Sequence, residues 1–512
     1  KQVLDKVKTD GLATTVNAVR SKLAQPIPLG YSNVGIVAEA SADAMGFAAG
    51  DRVLSNGPHA ETVRVPKNLC AKIPDAVTDE EAAFAVVGSI GLQGVRLVQP
   101  TIGEKVVVMG AGLIGLMTIQ ILLANGCRVL ATDFDAAKLA LAKSWGAEIC
   151  NLSDAVDPVE TAMVFSGGHG VDAVLITAST KSNDPVRQAA EMSRKRGRIV
   201  LVGVTGLELS RDDFYQKELS FQVSCSYGPG RYDSAYEERG EDYPLGFVRW
   251  TEQRNFEAVL DLMASGRIDV TAMISKTLLF KDATAVFQSL TDDKGLLGVL
   301  LKYDRPDEER QPRLIQLSNS DVHTSDAVDS PRIALVGAGN YASRIIMPAL
   351  KKAGAQVGPV ITSAGLSGTI LSEQHGVIKS GTDLVDVTDD PDVAAAVIAT
   401  QHNSHAALTV KILASGKDVF VEKPLAINRE QLASVRAAFE QQLAEGKSPR
   451  LMVGFNRRFS PHVIKMKELL DSISAPKTFL FTMNAGAIPG DVWIQDRELG
   501  GGRIIGEACH YI

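Results

Sequence analysis

Cysteine is scarce and scattered in this sequence: Cys70, Cys127, Cys150, Cys225 and Cys509 are the five, and no two form a Cys-x-x-Cys pair. An odd, widely spaced set argues against a disulfide framework and against a cysteine zinc cluster, and it fits a reducing cytoplasm. Long basic runs are absent too, and a net charge of -7 is small for 512 residues. The chain therefore has little electrostatic footprint for nucleic acid or an anionic membrane, which leaves small molecules as the expected partners. Charge is missing altogether from Val106 to Cys127. That run holds four glycines, Gln120 and Asn125, so it divides into a valine strand, a turn and an amphipathic helix rather than a membrane span. No signal-peptide pattern opens the sequence.

What is present is ordinary globular material, 45% apolar and 22% charged, with length enough for two to four domains. The chain begins with Lys1 and stops at Cys509-His510-Tyr511-Ile512, so both ends read as truncated.

The sequence is organised around Val106 to Gly115, Val-Val-Val-Met-Gly-Ala-Gly-Leu-Ile-Gly, and a near copy from Ile333 to Ala342. Each reads as a buried strand, a glycine turn and a helix start. In the first, Gly110 makes the tight turn, Gly112 admits a pyrophosphate to backbone amides, and Gly115 lets the helix pack close to the strand. Leu113 and Ile114 open a helix whose amino terminus favours an anion. The second copy, Gly337-Ala338-Gly339-Asn340-Tyr341-Ala342, has alanine third. Two such turns predict two dinucleotide sites.

Taken in order, residues 1–25 read as two short helices. From Pro28 the texture is short strands: Gly30 to Val37, Gly50 to Leu54, and Ala60 to Pro66, β-barrel material rather than βαβ. Residues 79–98 return to helix, and strands are expected at 127–132, 148–151, 172–178, 198–203 and 219–224, alternating with helices as a doubly wound parallel sheet. Asp133 ends the sheet's second strand, the one at 127–132, 23 positions after Gly110, where an acid bonds ribose hydroxyls and repels a 2′-phosphate, favouring NAD over NADP; a helix cap is the plainer role. Arg194-Lys195-Arg196 reads as the solvated end of a helix. The loop from Ser224 to Asn255 holds four tyrosines, and Arg231 and Tyr232 in it suit either a polyhydroxylated ligand or an interdomain plug. Residues 303–330 read as a linker. Beyond it, strands are expected near 357–362, 395–400, 418–421 and 450–454. The second of the new sheet's strands ends at Thr362-Ser363 with no acid, leaving NAD or NADP open.

Residues 28–302 resemble a medium-chain dehydrogenase/reductase. Gly30-Tyr31-Ser32 falls where zinc-dependent members carry Gly-His-Glu, and no cysteine-rich lobe lies between Val53 and Ala60, so the resemblance is to the zinc-independent branch, with no metal expected. Residues 332–512 resemble the Gfo/Idh/MocA family of glucose-fructose oxidoreductase and inositol dehydrogenase. The match runs in order through Gly337-Ala338-Gly339, Ile398-Ala399-Thr400 with His405, Val421-Glu422-Lys423-Pro424, Gly454-Phe455-Asn456-Arg457-Arg458-Phe459, and Gly500-Gly501-Gly502 leading to His510. The resemblance implies that Lys423 lies beside nicotinamide and sugar, that Thr400, His405 and Glu422 line the cofactor, and that His510 is catalytic. An ammonium near a reacting hydroxyl stabilises alkoxide character. The family often has aspartate four residues before the histidine; Gly506 stands there and Glu507 is out of register, so the acid role stays unfilled. Arg457 and Arg458 suit either an anionic substrate group or an internal ion pair. His402 has no metal-ligand company.

The resemblances imply an α/β chain with two Rossmann-type doubly wound sheets. The expected divisions are a partial GroES-like β-barrel domain with N-terminal helices (1–100), a first Rossmann domain (101–225), a closing segment (226–302), the linker (303–330), a second Rossmann domain (331–455) and the start of an α+β substrate domain (456–512). In the Gfo/Idh/MocA family the histidine segment leads into an open sheet that often forms the oligomer interface, so the resemblance implies a homo-oligomer. The implied function is a tandem nicotinamide oxidoreductase of a sugar, nucleotide sugar or polyol in bacterial carbohydrate metabolism. Two alternatives stand beside it: a glycoside-cleaving enzyme that retains its NAD and oxidises transiently, and a non-catalytic NAD(H) sensor.

Overall fold

The computed structural model describes residues 27–42, 44–284, 287, 293, 295–303, 314–317, 331–484, 486, 488 and 492–511. The expected helices of residues 1–25 and most of the 303–330 linker lie outside these. The chain divides into two compact units, Ile27–Asp304 and a second whose described part begins at Leu314.

The first unit opens with a three-stranded antiparallel sheet, β1 (Asn33–Ile36), β2 (Arg52–Ser55) and β3 (Cys70–Lys72). The strand expected at 60–66 does not form; the chain there runs as bends into a turn at Lys67–Leu69. Next comes a helix, Ala85–Val98. Its glycines 88, 91 and 94 leave no room for a Cβ against Met117, Thr118 and Val202, so a smooth face seats it on the Rossmann domain.

That domain is a six-stranded parallel sheet. Its strands are β4 (Lys105–Met109), β5 (Arg128–Asp133), β6 (Glu148–Asn151), β7 (Val171–Ile176), β8 (Ser193–Leu201) and β9 (Ser220–Val223), in the order β6-β5-β4-β7-β8-β9. Strand side chains alternate between faces. Val106 and Val108 accordingly enter one core cluster while Val107 and Met109 enter another on the opposite face. A parallel strand covered on both sides has no polar face, which is why β4 reads as an unbroken valine run. The uncharged stretch after it is the helix Leu113–Ala124, with Leu116, Met117, Ile119 and Leu122 fully buried. Its buried Gln120 is satisfied by both backbone groups of Asp269, at 2.9 and 2.8 Å. Among the described residues no helix is long and apolar enough to cross a membrane.

Arg194–Arg196 does not end a helix. It lies inside β8, where Arg194 Nε donates to Asp172 Oδ1 at 2.6 Å and Arg196 takes a positive φ of 61°. A parallel pair, β10 (Ile274–Leu279) and β11 (Gly298–Lys302), closes the unit.

The second unit repeats the plan. Strands β12 (Leu314–Gln316), β13 (Arg332–Val336), β14 (Val357–Ile361), β15 (Lys379–Gly381), β16 (Val393–Ile398), β17 (Asp418–Glu422) and β18 (Leu451–Gly454) form a sheet in the order β12-β15-β14-β13-β16-β17-β18. All neighbours are parallel except β12, which lies antiparallel on β15. Within the stretch read as linker, therefore, three residues serve as an edge strand. Beyond β18 the described residues are helical turns and irregular chain: Asn456–Phe459, Pro461–Asp471, Trp493–Gln495, Gly502–Gly506 and Ala508–His510.

In both sheets the connections reverse direction beside the first Rossmann strand, between β4 and β7 and between β13 and β16. Open α/β sheets bind ligands in the crevice outside the strand ends at such a switch point.

Candidate functional site

Each switch point holds a glycine turn. Gly110 has φ +101°, and a Cβ on it would meet the Ala178 backbone nitrogen at 2.8 Å. A Cβ on Gly112 would meet nothing within 4 Å. This middle glycine therefore faces open space, as a backbone that receives a pyrophosphate must. No side chain caps the helix that starts at Leu113 and Ile114, so its first amides remain available to an anion. Thr177 Oγ1 braces the turn by donating to the Gly110 carbonyl at 2.7 Å.

Asp133 stands at the end of β5 beside this turn. Its Oδ2 accepts from the Ala111 N–H at 2.6 Å and its Oδ1 from the Asp135 N–H at 2.9 Å. Each oxygen keeps a free lone pair, so the carboxylate is tied to the turn and still able to accept from ribose hydroxyls. Phe134, 70% exposed, offers a flat apolar face next to it. The residues present thus fit a nicotinamide dinucleotide.

In the segment before β1, Tyr31 is half-exposed. A Cβ on the neighbouring Gly30 would sit 2.5 Å from the His59 ring, and burial makes His59 harder to protonate. This packing of His59 beside the Gly-Tyr-Ser position is not visible in sequence. Among the described residues no group of three or more His, Cys, Asp and Glu side chains could hold a metal ion. Arg231 is paired with Glu237 at 2.5 Å. Its guanidinium also lies over the ring of Tyr232, which is 75% exposed.

The second turn has the same plan with one difference. Gly337 has φ +103°, with Ala399 O 2.5 Å from a would-be Cβ, and Gly339 again faces open space. The third position is Ala342, buried at the start of a π-helical turn, Ala342–Ile346. Asn340 opens this segment, and Tyr341 Oη accepts from Asn456 Nδ2 at 2.7 Å, tying the turn to the chain after β18. Thr362 Oγ1 accepts from the Gly365 N–H at 3.1 Å and so serves its own turn, while Ser363 is exposed.

Strands β16, β17 and β18 deliver the remaining groups to the same sheet edge. Thr400 Oγ1 shares a 2.7 Å hydrogen bond with Ser404 Oγ. His405 is buried, its Nδ1 2.7 Å from Pro424 O and its Nε2 3.1 Å from Thr400 O. Burial holds it toward the neutral form, in which Nδ1–H donates across the shorter contact. His405 thus fastens the Glu-Lys-Pro segment to the end of β16 rather than presenting a free ring. His402 Nδ1 is 2.8 Å from Gly500 O and ties in the glycine-rich approach to His510. Glu422 is buried, and burial raises its pKa. Gly454 leaves room for it, since a Cβ there would be 2.9 Å from its carboxyl oxygens.

Lys423 follows directly. Its Nζ donates to Gly506 O and lies 3.5 Å from Glu507 Oε2, while Arg457 reaches Glu507 Oε1 at 2.7 Å. Of the two readings of Arg457, the structure displays the ion pair; Arg458 points elsewhere, over Phe459. His510 packs edge-on to Phe455, and its Nδ1 is buried without a hydrogen-bond partner. Burial, then Lys423 and Arg457, push its pKa down. The group brought together is therefore a paired ammonium and a neutral imidazole with one unspent nitrogen.

Comparison with known proteins follows this division. Residues 114–239 match the family described as zinc-binding dehydrogenase, and residues 331–455 match the oxidoreductase family with an NAD-binding Rossmann fold. Human sorbitol dehydrogenase is 34% identical over 242 residues, covering 47% of this chain and 61% of its own. L-Idonate 5-dehydrogenase of Vitis vinifera is 25% identical over 307 residues, covering 52% and 76%. D-Guloside 3-dehydrogenase of Escherichia coli is 26% identical over 274 residues, covering 52% and 73%. Among solved structures, alcohol dehydrogenase from Thermus sp. ATN1 aligns with a TM-score of 0.46 at 24% identity, covering 57% of this chain and 89% of that one. The chain thus carries one segment similar to the zinc-binding dehydrogenase family and one similar to the oxidoreductase family with an NAD-binding Rossmann fold, the combination of a bi-domain oxidoreductase.

Proposed function

We propose that this oxidoreductase binds a nicotinamide dinucleotide at each glycine turn and oxidises or reduces a hydroxyl of a polyol, sugar or nucleotide sugar. The named relatives of the first unit are dehydrogenases of idonate, a guloside and sorbitol, which supports that substrate class. The observation that carries the reading is the placement of Lys423, held by Glu507 and Gly506, within electrostatic reach of His510, whose Nδ1 has no hydrogen-bond partner.

A bound nicotinamide supplies the hydride acceptor or donor. Lys423 then stabilises oxygen charge as the substrate hydroxyl loses its proton, and the neutral His510 imidazole receives that proton. In the reverse direction the same groups return it. At the first turn Asp133 selects NAD, because its carboxylate repels a 2′-phosphate; the second turn has no acid and admits either cofactor. The first unit works without zinc, since Tyr31 replaces a ligand-type histidine and offers a phenol instead. With two cofactor sites the chain can oxidise one hydroxyl and later reduce, a redox-neutral remodelling. The protein acts in the cytoplasm.

The test is to titrate the full chain with NADH, following nicotinamide fluorescence, and then to supply NAD with a panel of polyols, aldonates and nucleotide sugars at 340 nm. Two NADH per chain and substrate-dependent absorbance are expected. No absorbance change with any member of the panel would overturn the catalytic reading.

A further inference from the structure

We infer that Glu507 is a positioning residue of the second site, its carboxylate setting Lys423 and Arg457 on the face that His510 occupies. The inference rests on the catalytic reading of Lys423 and His510 given above.

Three observations carry it. The first is backbone geometry. The Gly502–Gly506 helix ends at Glu507, whose φ of -137° breaks the helical path, and the chain continues as a 3₁₀ turn over Ala508–His510. The His510 N–H donates to the Glu507 carbonyl at 3.1 Å. Glu507 thus stands at the corner between the two helical turns, one hydrogen-bonded turn before His510.

The second is connectivity. Glu507 uses one oxygen for Arg457, at 2.7 Å, and presents the other to Lys423 at 3.5 Å. The preceding residue, Gly506, contributes its carbonyl to the same ammonium. Lys423 is thus held from two consecutive positions of one short segment, which restricts where its Nζ sits relative to His510.

The third is burial. The side chains of Lys423 and Glu507 are only 16% and 19% exposed. Coulomb coupling between such groups is screened far less than on an open surface. A lone ammonium beside Arg457 would be expensive to hold; the carboxylate offsets it. His510 stays toward the neutral form because burial and the charges of Lys423 and Arg457 outweigh the opposing Glu507 carboxylate, so the proton acceptor and the charge stabiliser stay distinct.

The test reads Lys423 without needing the natural substrate. Full-length wild type, E507Q and E507D are treated with acetic anhydride at pH 8, and Lys423 acetylation is followed by peptide mass spectrometry, with NADH binding as the check on folding. The Glu507 carboxylate and the Gly506 carbonyl together hold the Lys423 Nζ. E507Q removes one of these holds and should acetylate Lys423 faster, and E507D should return most of the protection. Equal rates in wild type and E507Q would overturn the inference. On a substrate from the panel, E507Q should lower kcat with little change in KM; a KM effect alone would count against it. K423A separates the two claims. If K423A retains full turnover, the catalytic reading of the second site fails; if K423A is inactive while E507Q is unaltered in both measurements, only the role of Glu507 fails.

Discussion

A Cβ on Gly115 would lie 1.9 Å from the carbonyl oxygen of Gly110, whereas Ala342, the matching residue of the second turn, already carries one. The first helix sits against its own turn so closely that only glycine fits. The second accommodates a methyl by beginning with a π-helical turn at Ala342–Ile346. Replacing Gly115 by Ala should push the helix start off β4 and remove one equivalent of NADH from the titration, at roughly 1–3 kcal/mol of overpacking strain. The change Ala342→Gly should keep its equivalent and cost about 0.5–1 kcal/mol from backbone freedom. If G115A still binds two NADH, the first turn is not a nucleotide site.

Asp133 holds the Ala111 amide with one oxygen and the Asp135 amide with the other. Asn at this position accepts through one atom only, leaving one N–H opposed by an amide group, a loss of about 1–3 kcal/mol. The charge that excludes a 2′-phosphate disappears as well. D133N should weaken NADH binding at the first turn and narrow the NADH-over-NADPH preference by about tenfold or more. Fluorescence titration with both cofactors gives the ratio. An unchanged ratio would make Asp133 a brace of the turn and nothing else.

On the proposed reading, His510 sets the acid limb of oxidation. Burial, Lys423 and Arg457 all depress its pKa below the ordinary value of 6.5, so the imidazole remains a proton acceptor through neutral pH and is lost only as pH falls below that value. The kcat profile should bend downward with a midpoint under pH 6.5, and H510A should lose about 10²–10⁴ of kcat while NADH binding persists. A midpoint above pH 7, or an H510A profile with the same bend, would remove His510 from the reaction.

The parts of this fold legible in sequence are those specified locally. Apolar runs ending in glycine fix β4 and β13, and the Asp133 position follows from counting along one βαβ unit. Other features depend on partners far along the chain. Strand β12 is three residues inside a polar stretch and exists because β15 offers it an edge. The basic run Arg194–Arg196 looks like a helix end until Asp172, 22 residues away, takes Arg194 into the sheet margin. At the second site, Lys423 and His510 are recognisable by motif. Glu507 falls one position out of the family's register, and its ion pairs with Lys423 and Arg457, 84 and 50 positions away, leave no local signal. His59 escapes a sequence reading because its meeting with Gly30 spans 29 positions and no pattern marks it.

Glu252 belongs to that second class and yields the sharpest stability prediction. It is fully buried under the tyrosine-rich loop, with neither carboxylate oxygen hydrogen-bonded, and Gly230 passes so near that a Cβ would be 2.9 Å from Oε1. Burial, and next the Glu237 carboxylate, push its pKa up to about 8, with Arg231 opposing. A raised acid pKa means that the folded chain keeps a proton the unfolded chain has already released. The stability contributed by this group is complete below about pH 4.5, falls as pH rises, and is spent by about pH 8. The amide introduced by Glu252→Gln cannot ionise, so the difference between E252Q and wild type isolates the effect from every other carboxylate. E252Q should gain on wild type by about 1.4 kcal/mol per pH unit between pH 5 and 8 and then level off. Urea unfolding at pH 5, 6, 7, 8 and 9 measures it; a difference that stays flat from pH 5 to 8 would mean that the Glu252 carboxyl ionises in the folded chain as it does in water.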